Sequence, residues 1–201
     1  MNEKFFDLKK EKQDRMINAA LKVFAENGFR RASTDEMVKE AGISKGLLFH
    51  YFTSKTGLFE FVYDYSVKYI ILEMTSAVNR QESDYFKIRQ QIEKAKAEAM
   101  KHFPYMQMFL LQAEKEDATE ALAVMRDAAE ALMDTYDTIY TQVVFQELSG
   151  ISTERLVKIV EYTLNGLLAE MIAGPGFKAE LYYKEAYRYL QELEKLCTNS
   201  I

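Results

Sequence analysis

The stretch Ser33–Lys55, S-T-D-E-M-V-K-E-A-G-I-S-K-G-L-L-F-H-Y-F-T-S-K, leaves few folds open to this chain. Ser33 and Glu36 stand at capping-box spacing, in which the hydroxyl takes the Glu36 amide and the carboxylate returns to the Ser33 amide. The helix so begun buries Met37, Val38 and Ala41 and stops at Gly42, the residue best suited to a left-handed C-cap. Ser44 caps a second helix two residues later, and a short turn containing Gly is what a helix-turn-helix requires. Ser54 caps a third. Such a unit is shaped to lay its second helix in the major groove of DNA.

At about 100° per residue, Leu48 and Phe52 share the face turned to the core. Gly46, Leu47 and His50 fall on the opposite face, with Lys45, Phe49 and Tyr51 flanking them. Gly46 lacks the side chain that would hold the backbone away from a partner. Leu47 is placed for thymine methyls and His50 for a base edge. Tyr51, Lys45 and Lys55 are expected to hold phosphates, which position the protein without naming a sequence. Lys55 follows the capping Ser54, so a helix N-terminus adds to its attraction for an anion.

The order G-I-S-K-G-L-L-F-H-Y-F-T-S-K-T-G-L-F (Gly42–Phe59), with A-L-K-V-F-A-E-N-G-F (Ala20–Phe29) before it, resembles the TetR/AcrR family of transcriptional regulators over about Met16–Leu58. The resemblance implies phosphate contacts at Ser33, Thr34, Tyr51 and Lys55, and groove-facing positions at Lys45, Gly46, Leu47 and His50. Two departures touch the reading of DNA. Leu47 stands where the family often has a small polar residue, and Phe49 replaces a frequent Tyr, losing a hydroxyl.

The net charge of -5 is not that of a simple DNA-binding chain until it is divided. Residues 1–60 carry a net +2 and the remainder a net -7, a mildly basic head on an acidic body. An enzyme is not expected: His50 and His102 are the two histidines, and no spaced Asp/Glu/His set accompanies them, so neither metal nor cofactor is implied. Cys197 stands alone and reads as a buried small residue. No secretory or membrane-spanning stretch is seen, which places the chain in the cytoplasm with no membrane partner. The opening M-N-E-K-F-F-D-L-K-K reads as a frayed start or an extension of the first helix, its Phe5, Phe6 and Leu8 seeking a surface.

Beyond Lys55 the pattern predicts helices at about 56–80, 84–102, 104–114, 117–147, 152–173 and 178–197, with Pro104 and Pro175 at breaks. Period-two strand signals are absent. The expected fold is all-α, with a three-helix DNA-binding head over 1–55 and a larger effector-binding and dimerisation bundle over 56–201. Leu156, Val160, Leu164, Leu167 and Met171 form one apolar stripe, and Tyr182, Tyr183, Ala186, Leu190, Leu193 and Cys197 another. Together they suit a four-helix interface between two copies, as in the resembled family. An effector that is largely apolar is expected among Met100, Phe103, Met106, Phe109, Met125, Met133, Tyr136 and Tyr140, where adaptable methionines meet polar-tipped rings. Tyr162 and Asn165, polar within the most apolar helix, point to a ligand or across the dimer. The run Glu114–Asp117 reads as a hydrated loop. These expectations describe a homodimeric repressor on a palindromic operator in double-stranded DNA, released by a small molecule. The alternative is a helical protein-interaction module that does not meet DNA.

Overall fold

The computed structural model describes residues 3–145 and 151–198. Among them a 3-10 turn at Glu3–Asp7 precedes nine α-helices: α1 (Lys10–Arg31), α2 (Thr34–Ala41), α3 (Lys45–Phe52), α4 (Lys55–Ala77), α5 (Tyr85–His102), α6 (Met106–Ala113), α7 (Thr119–Tyr140), α8 (Thr153–Ala173) and α9 (Ala179–Thr198). No strand occurs among the described residues, and the chain is all-α as its patterning requires. No helix there is long and apolar enough to cross a membrane.

Two ends differ from the sequence reading. α7 stops at Tyr140 instead of reaching 147. Thr141 turns its hydroxyl back onto the Thr138 carbonyl at 2.7 Å, and the Val144 amide leaves the helix to donate to Ser83 at 2.9 Å. Thr141, Val143 and Val144 are β-branched and weak helix formers, which favours the exit. Residues 146 and 147 of the expected helix lie outside the described residues. Among the described residues, the N-terminal segment from Glu3 on is a docked 3-10 turn. Phe5 is 0% exposed, its ring 5.1 Å from Phe52, 5.2 Å from Phe61 and 5.7 Å from Tyr51. Gln13, itself buried, holds the turn by donating to the carbonyls of Phe6 and Leu8.

The chain packs as two compact units. The first comprises Met1–Tyr69 and His102–Met133. Its core is aromatic: Phe59 lies 5.0 Å from Phe24, 5.2 Å from Phe29 and 5.5 Å from Phe109, all in edge-to-face contacts. α6 packs along α1. Near its end α1 breaks at Gly28, whose φ of 68° suits glycine. The Phe29 amide exposed by the break donates to Glu116 at 2.8 Å, while the other Glu116 oxygen accepts from the amides of Asp117 and Ala118. Glu116 is therefore a structural acid that bridges α1 to the loop before α7, and the Glu114–Asp117 run is more than a hydrated loop.

The second unit comprises Ile70–Lys101 and Asp134–Ile201. α8 buries Leu156, Val160, Leu164 and Leu168, a stripe spaced by four, whereas Leu167 and Met171 are half-exposed. α9 packs on α8 and buries Tyr182, Ala186, Leu190 and Cys197. The free thiol of Cys197 packs as a small apolar side chain.

Candidate nucleic-acid interface

The turn between α2 and α3 forms as its residues dictate. Gly42 caps α2 in the left-handed conformation, φ 63° and ψ 43°, and the Ile43 amide donates to the Val38 carbonyl at 3.0 Å. Ser44 caps α3, its hydroxyl accepting from the Leu47 amide at 3.2 Å. Ser33 takes the extended conformation of an N-cap, but its side chain makes no capping bond, so the capping box with Glu36 does not form. The exposed Ser33 and half-exposed Thr34 stand instead at the open end of α2.

α3 is two-sided as expected except at Tyr51, which is buried. Leu48 and Phe52 are buried; Lys45, Gly46 and His50 are exposed; Leu47 and Phe49 are half-buried. A Cβ built on Gly46 would meet nothing, so the surface there is open to an approaching backbone. Lys45 pairs with Asp35 at 2.8 Å, both side chains largely in water, where such a pair contributes little. It ties the start of α3 to that of α2.

Two of the residues expected on phosphates, Tyr51 and Lys55, sit deeper. Tyr51 is 7% exposed, with its ring between Phe5 and His50, at 5.7 and 5.0 Å. Lys55 reaches back to the end of α1. Its ammonium donates to the carbonyls of Phe29 (2.8 Å), Arg30 (3.2 Å) and Ala32 (3.4 Å), and lies 4.7 Å from the centre of the Phe29 ring. A cation over the last carbonyls of a helix is where the helix dipole favours it.

The joint from α3 to α4 is tight. Thr53 has φ 65° and ψ -44°, and the Ser54 amide donates to the Phe52 carbonyl at 2.6 Å, closing a γ-turn that costs a non-glycine residue energy. Ser54 caps α4 by accepting from the Gly57 amide at 3.0 Å. A Cβ on Gly57 would stand 2.4 Å from the Phe52 carbonyl oxygen, so only glycine fits.

The residues expected around an effector fall in both units. Phe103, Met106, Phe109 and Met125 are buried in the first, and Met133 belongs to it too, exposed at the surface; Met100, Tyr136, Tyr140, Tyr162 and Asn165 belong to the second. Tyr162 is 74% exposed. Tyr136 and Tyr140 border a feature that sequence reasoning missed, a buried charged cluster around Arg89. Arg89 donates to Glu93 at 2.8 Å, Glu161 at 2.7 Å and the Tyr140 hydroxyl at 2.9 Å. Lys96 and the Tyr182 hydroxyl complete the shell of Glu93. Burial alone would raise the Glu93 pKa, but Lys96 and Arg89 outweigh it and hold the carboxyl below its usual range. Burial alone would lower the Lys96 pKa, but Glu93 outweighs it and holds the ammonium above its usual range. The i, i+4 spacing of Arg89 and Glu93 was the available signal, and it is common on solvated helices too.

Comparison with known proteins gives the same head. Residues 16–62 match the family described as bacterial regulatory proteins, tetR family. Over 49 residues the chain is 47% identical to the uncharacterized HTH-type transcriptional regulator YuxN of Bacillus subtilis, covering 24% of this chain and 17% of that protein. Over 46 residues it is 46% identical to the HTH-type transcriptional regulator UidR of Escherichia coli, covering 23% and 24%. The chain thus spans a quarter or less of these relatives. Among solved structures, PfmR of Thermus thermophilus, a TetR family transcriptional regulator, is similar with a TM-score of 0.64 at 18% identity, over 94% of this chain and 98% of that one. FadR of Bacillus subtilis, solved in complex with stearoyl-CoA, has a TM-score of 0.55 at 15% identity, over 93% and 98%. At those identities the likeness is one of fold.

Proposed function

We propose that this chain, whose residues 16–62 carry the DNA-binding head of the tetR family, is a homodimeric transcriptional repressor released from its operator by a small molecule. The observation that carries the reading is the sidedness of α3. Leu48 and Phe52 anchor it, while Lys45, Gly46 and His50 are exposed, with Leu47 half-buried beside them and open space beside Gly46. Phosphates would be met by Ser33 and Thr34 at the open end of α2 and by the flank of α3, and bases by Leu47 and His50.

A single eight-residue helix reads few bases, so two heads are needed, set roughly 34–36 Å apart to enter successive major grooves. Of the stripes expected at the interface, Leu156, Val160, Leu164, Tyr182, Ala186, Leu190 and Cys197 are buried within the chain itself; what supports the dimer is instead the exposed apolar side chains Ile159 and Tyr162 of α8 and Leu181, Tyr189 and Leu196 of α9. Residues 56–201 would then pair two copies and bind the effector, and residues 1–55 would read DNA. A largely apolar effector fits the aromatic and methionine content of the helices beyond α4, and a neighbour in fold holds stearoyl-CoA. Release follows from linkage: a ligand that prefers the state with misplaced heads weakens DNA binding by its differential affinity and by no more.

Selection of bound sequences from random duplex DNA tests the reading. A recovered palindrome with steep salt dependence is expected. Recovery of no sequence, with a monomer in sedimentation at micromolar concentration, would overturn it in favour of an interaction module.

A further inference from the structure

Asp35 lies in the first turn of α2, and its carboxylate bonds outside its own helix. Lys39 stands four residues along, at the spacing of an ordinary surface pair, yet the carboxylate crosses the turn to the Lys45 ammonium at 2.8 Å. The side chains of Asp35 and Lys45 are 73% and 51% exposed, so the pair adds little to the stability of the fold. It stands among the residues expected on DNA: Ser33 and Thr34 directly precede Asp35, and Gly46 and Leu47 follow Lys45. An acid in such a place acts on the charge of the surface more than on the fold.

A phosphate bound to the far side of the Lys45 ammonium would lie within about 6 Å of the Asp35 carboxylate, two charge-assisted bonds end to end. That is shorter than the Debye length of about 8 Å at physiological salt, so the repulsion is not screened away. Lys45 therefore meets the duplex as half of a neutral couple, or gives up its partner. A neutral couple releases no counter-ions, and counter-ion release supplies essentially all of a protein's hold on arbitrary sequence.

We propose that Asp35 is a specificity-determining residue, which cancels the charge of Lys45 and so weakens the hold on arbitrary DNA more than the hold on the operator. The proposal rests on the reading of α3 as the DNA-contacting helix. On arbitrary sequence the head is free to settle wherever a released ammonium meets a phosphate. On the operator the base contacts of Leu47 and His50 fix the register, and a released ammonium gains less.

The test measures binding of the full chain to a random-sequence duplex and to the operator recovered by selection, over a range of salt. It compares the wild type, Asp35→Asn, Lys45→Ala and the double variant. All are expected to melt within about 2 °C of one another, because the pair is exposed. Asp35→Asn is expected to steepen the log–log salt slope by about 1 for each bound head. It should tighten the random duplex by at least about fivefold near 0.1 M salt, with a smaller gain on the operator. Lys45→Ala should make the slope shallower by about 1 for each head, and the double variant, which removes the couple whole, should return to the wild-type slope. The role is overturned if Asp35→Asn binds the random duplex like the wild type, if both duplexes gain equally, or if the double variant keeps the shallow slope of Lys45→Ala. A wild type that binds no duplex at any salt overturns the regulator reading and this role with it. Selective binding by the wild type that Asp35→Asn leaves unchanged overturns the role alone.

Discussion

The Lys55 ammonium lies 2.8 Å from the carbonyl oxygen of Phe29 and 4.7 Å from the centre of the same residue's ring. One cation thus caps the end of α1 and stacks on its last aromatic. Lys55→Ala removes charge-assisted bonds to carbonyls at a half-exposed site, and is expected to destabilise the protein by about 1–2 kcal/mol. Thermal unfolding measures it directly.

Lys45 makes the opposite prediction. Its pair with Asp35 is exposed, so Lys45→Ala should shift stability by less than about 0.5 kcal/mol. If it meets a phosphate, the same substitution lowers the log–log salt slope of DNA binding by about 1. A titration over a range of salt concentrations separates a lysine that holds the fold from one that would meet a phosphate.

Gly46 and Gly57 lie on either side of the γ-turn and should respond in opposite directions. Gly46→Ala fills open space inside a helix and is expected to stabilise by up to about 1 kcal/mol while weakening DNA binding. Gly57→Ala drives a methyl group into the Phe52 carbonyl oxygen and is expected to destabilise by at least about 1–3 kcal/mol. Urea unfolding of both variants, with DNA affinity for the first, checks the pair.

Phe5→Ala empties a site between Phe52 and Phe61 and is expected to cost about 3–5 kcal/mol, in the range of buried Phe truncations. Phe6→Ala, at an exposed neighbour, should cost less than about 1 kcal/mol. Chemical denaturation of the two separates a docked turn from a loose tail.

The Arg89 cluster sets a pH dependence. The Glu93 pKa is lowered in the fold, so its contribution is fully present above the unfolded value of about 4.3 and is lost as pH falls through the lower folded value. The Lys96 pKa is raised, so its contribution is complete below about pH 10.4 and is lost only above that. Glu93→Gln should flatten the acid limb of stability against pH and cost about 3–5 kcal/mol at neutral pH, because Arg89 and Lys96 remain buried with less compensation. Unfolding free energies between about pH 3 and 8 decide it.

What was legible in the sequence was the local and the periodic. Gly42, Ser44 and Ser54 announce helix ends, and the alternation of Leu48 and Phe52 with Gly46 and His50 announces two faces, because each rests on backbone geometry within a few residues. What was not legible depended on partners far away in the chain. Nothing near Lys55 tells that its ammonium turns inward to Phe29, 26 residues earlier, and nothing near Glu116 tells of the same residue's amide, 87 residues earlier. The flanking angle of Tyr51 predicts an outward ring, and the aromatic surface of Phe5 draws it in. Arg89 and Glu93 carry the spacing of an ordinary surface pair, and only the arrival of Glu161, Lys96 and Tyr182 makes them an interior.

Phe29 is held at its amide by Glu116 and at its carbonyl by Lys55, so the end of the first helix is fastened by a residue that lies beyond α6. A protein engineer who wished to graft this helix-turn-helix onto another protein could not cut after residue 55 and expect the piece to stand. The transplant would have to bring 102–133 along, or supply a substitute acid for the Phe29 amide. Heads of this kind are exchangeable as spatial units, not as stretches of sequence.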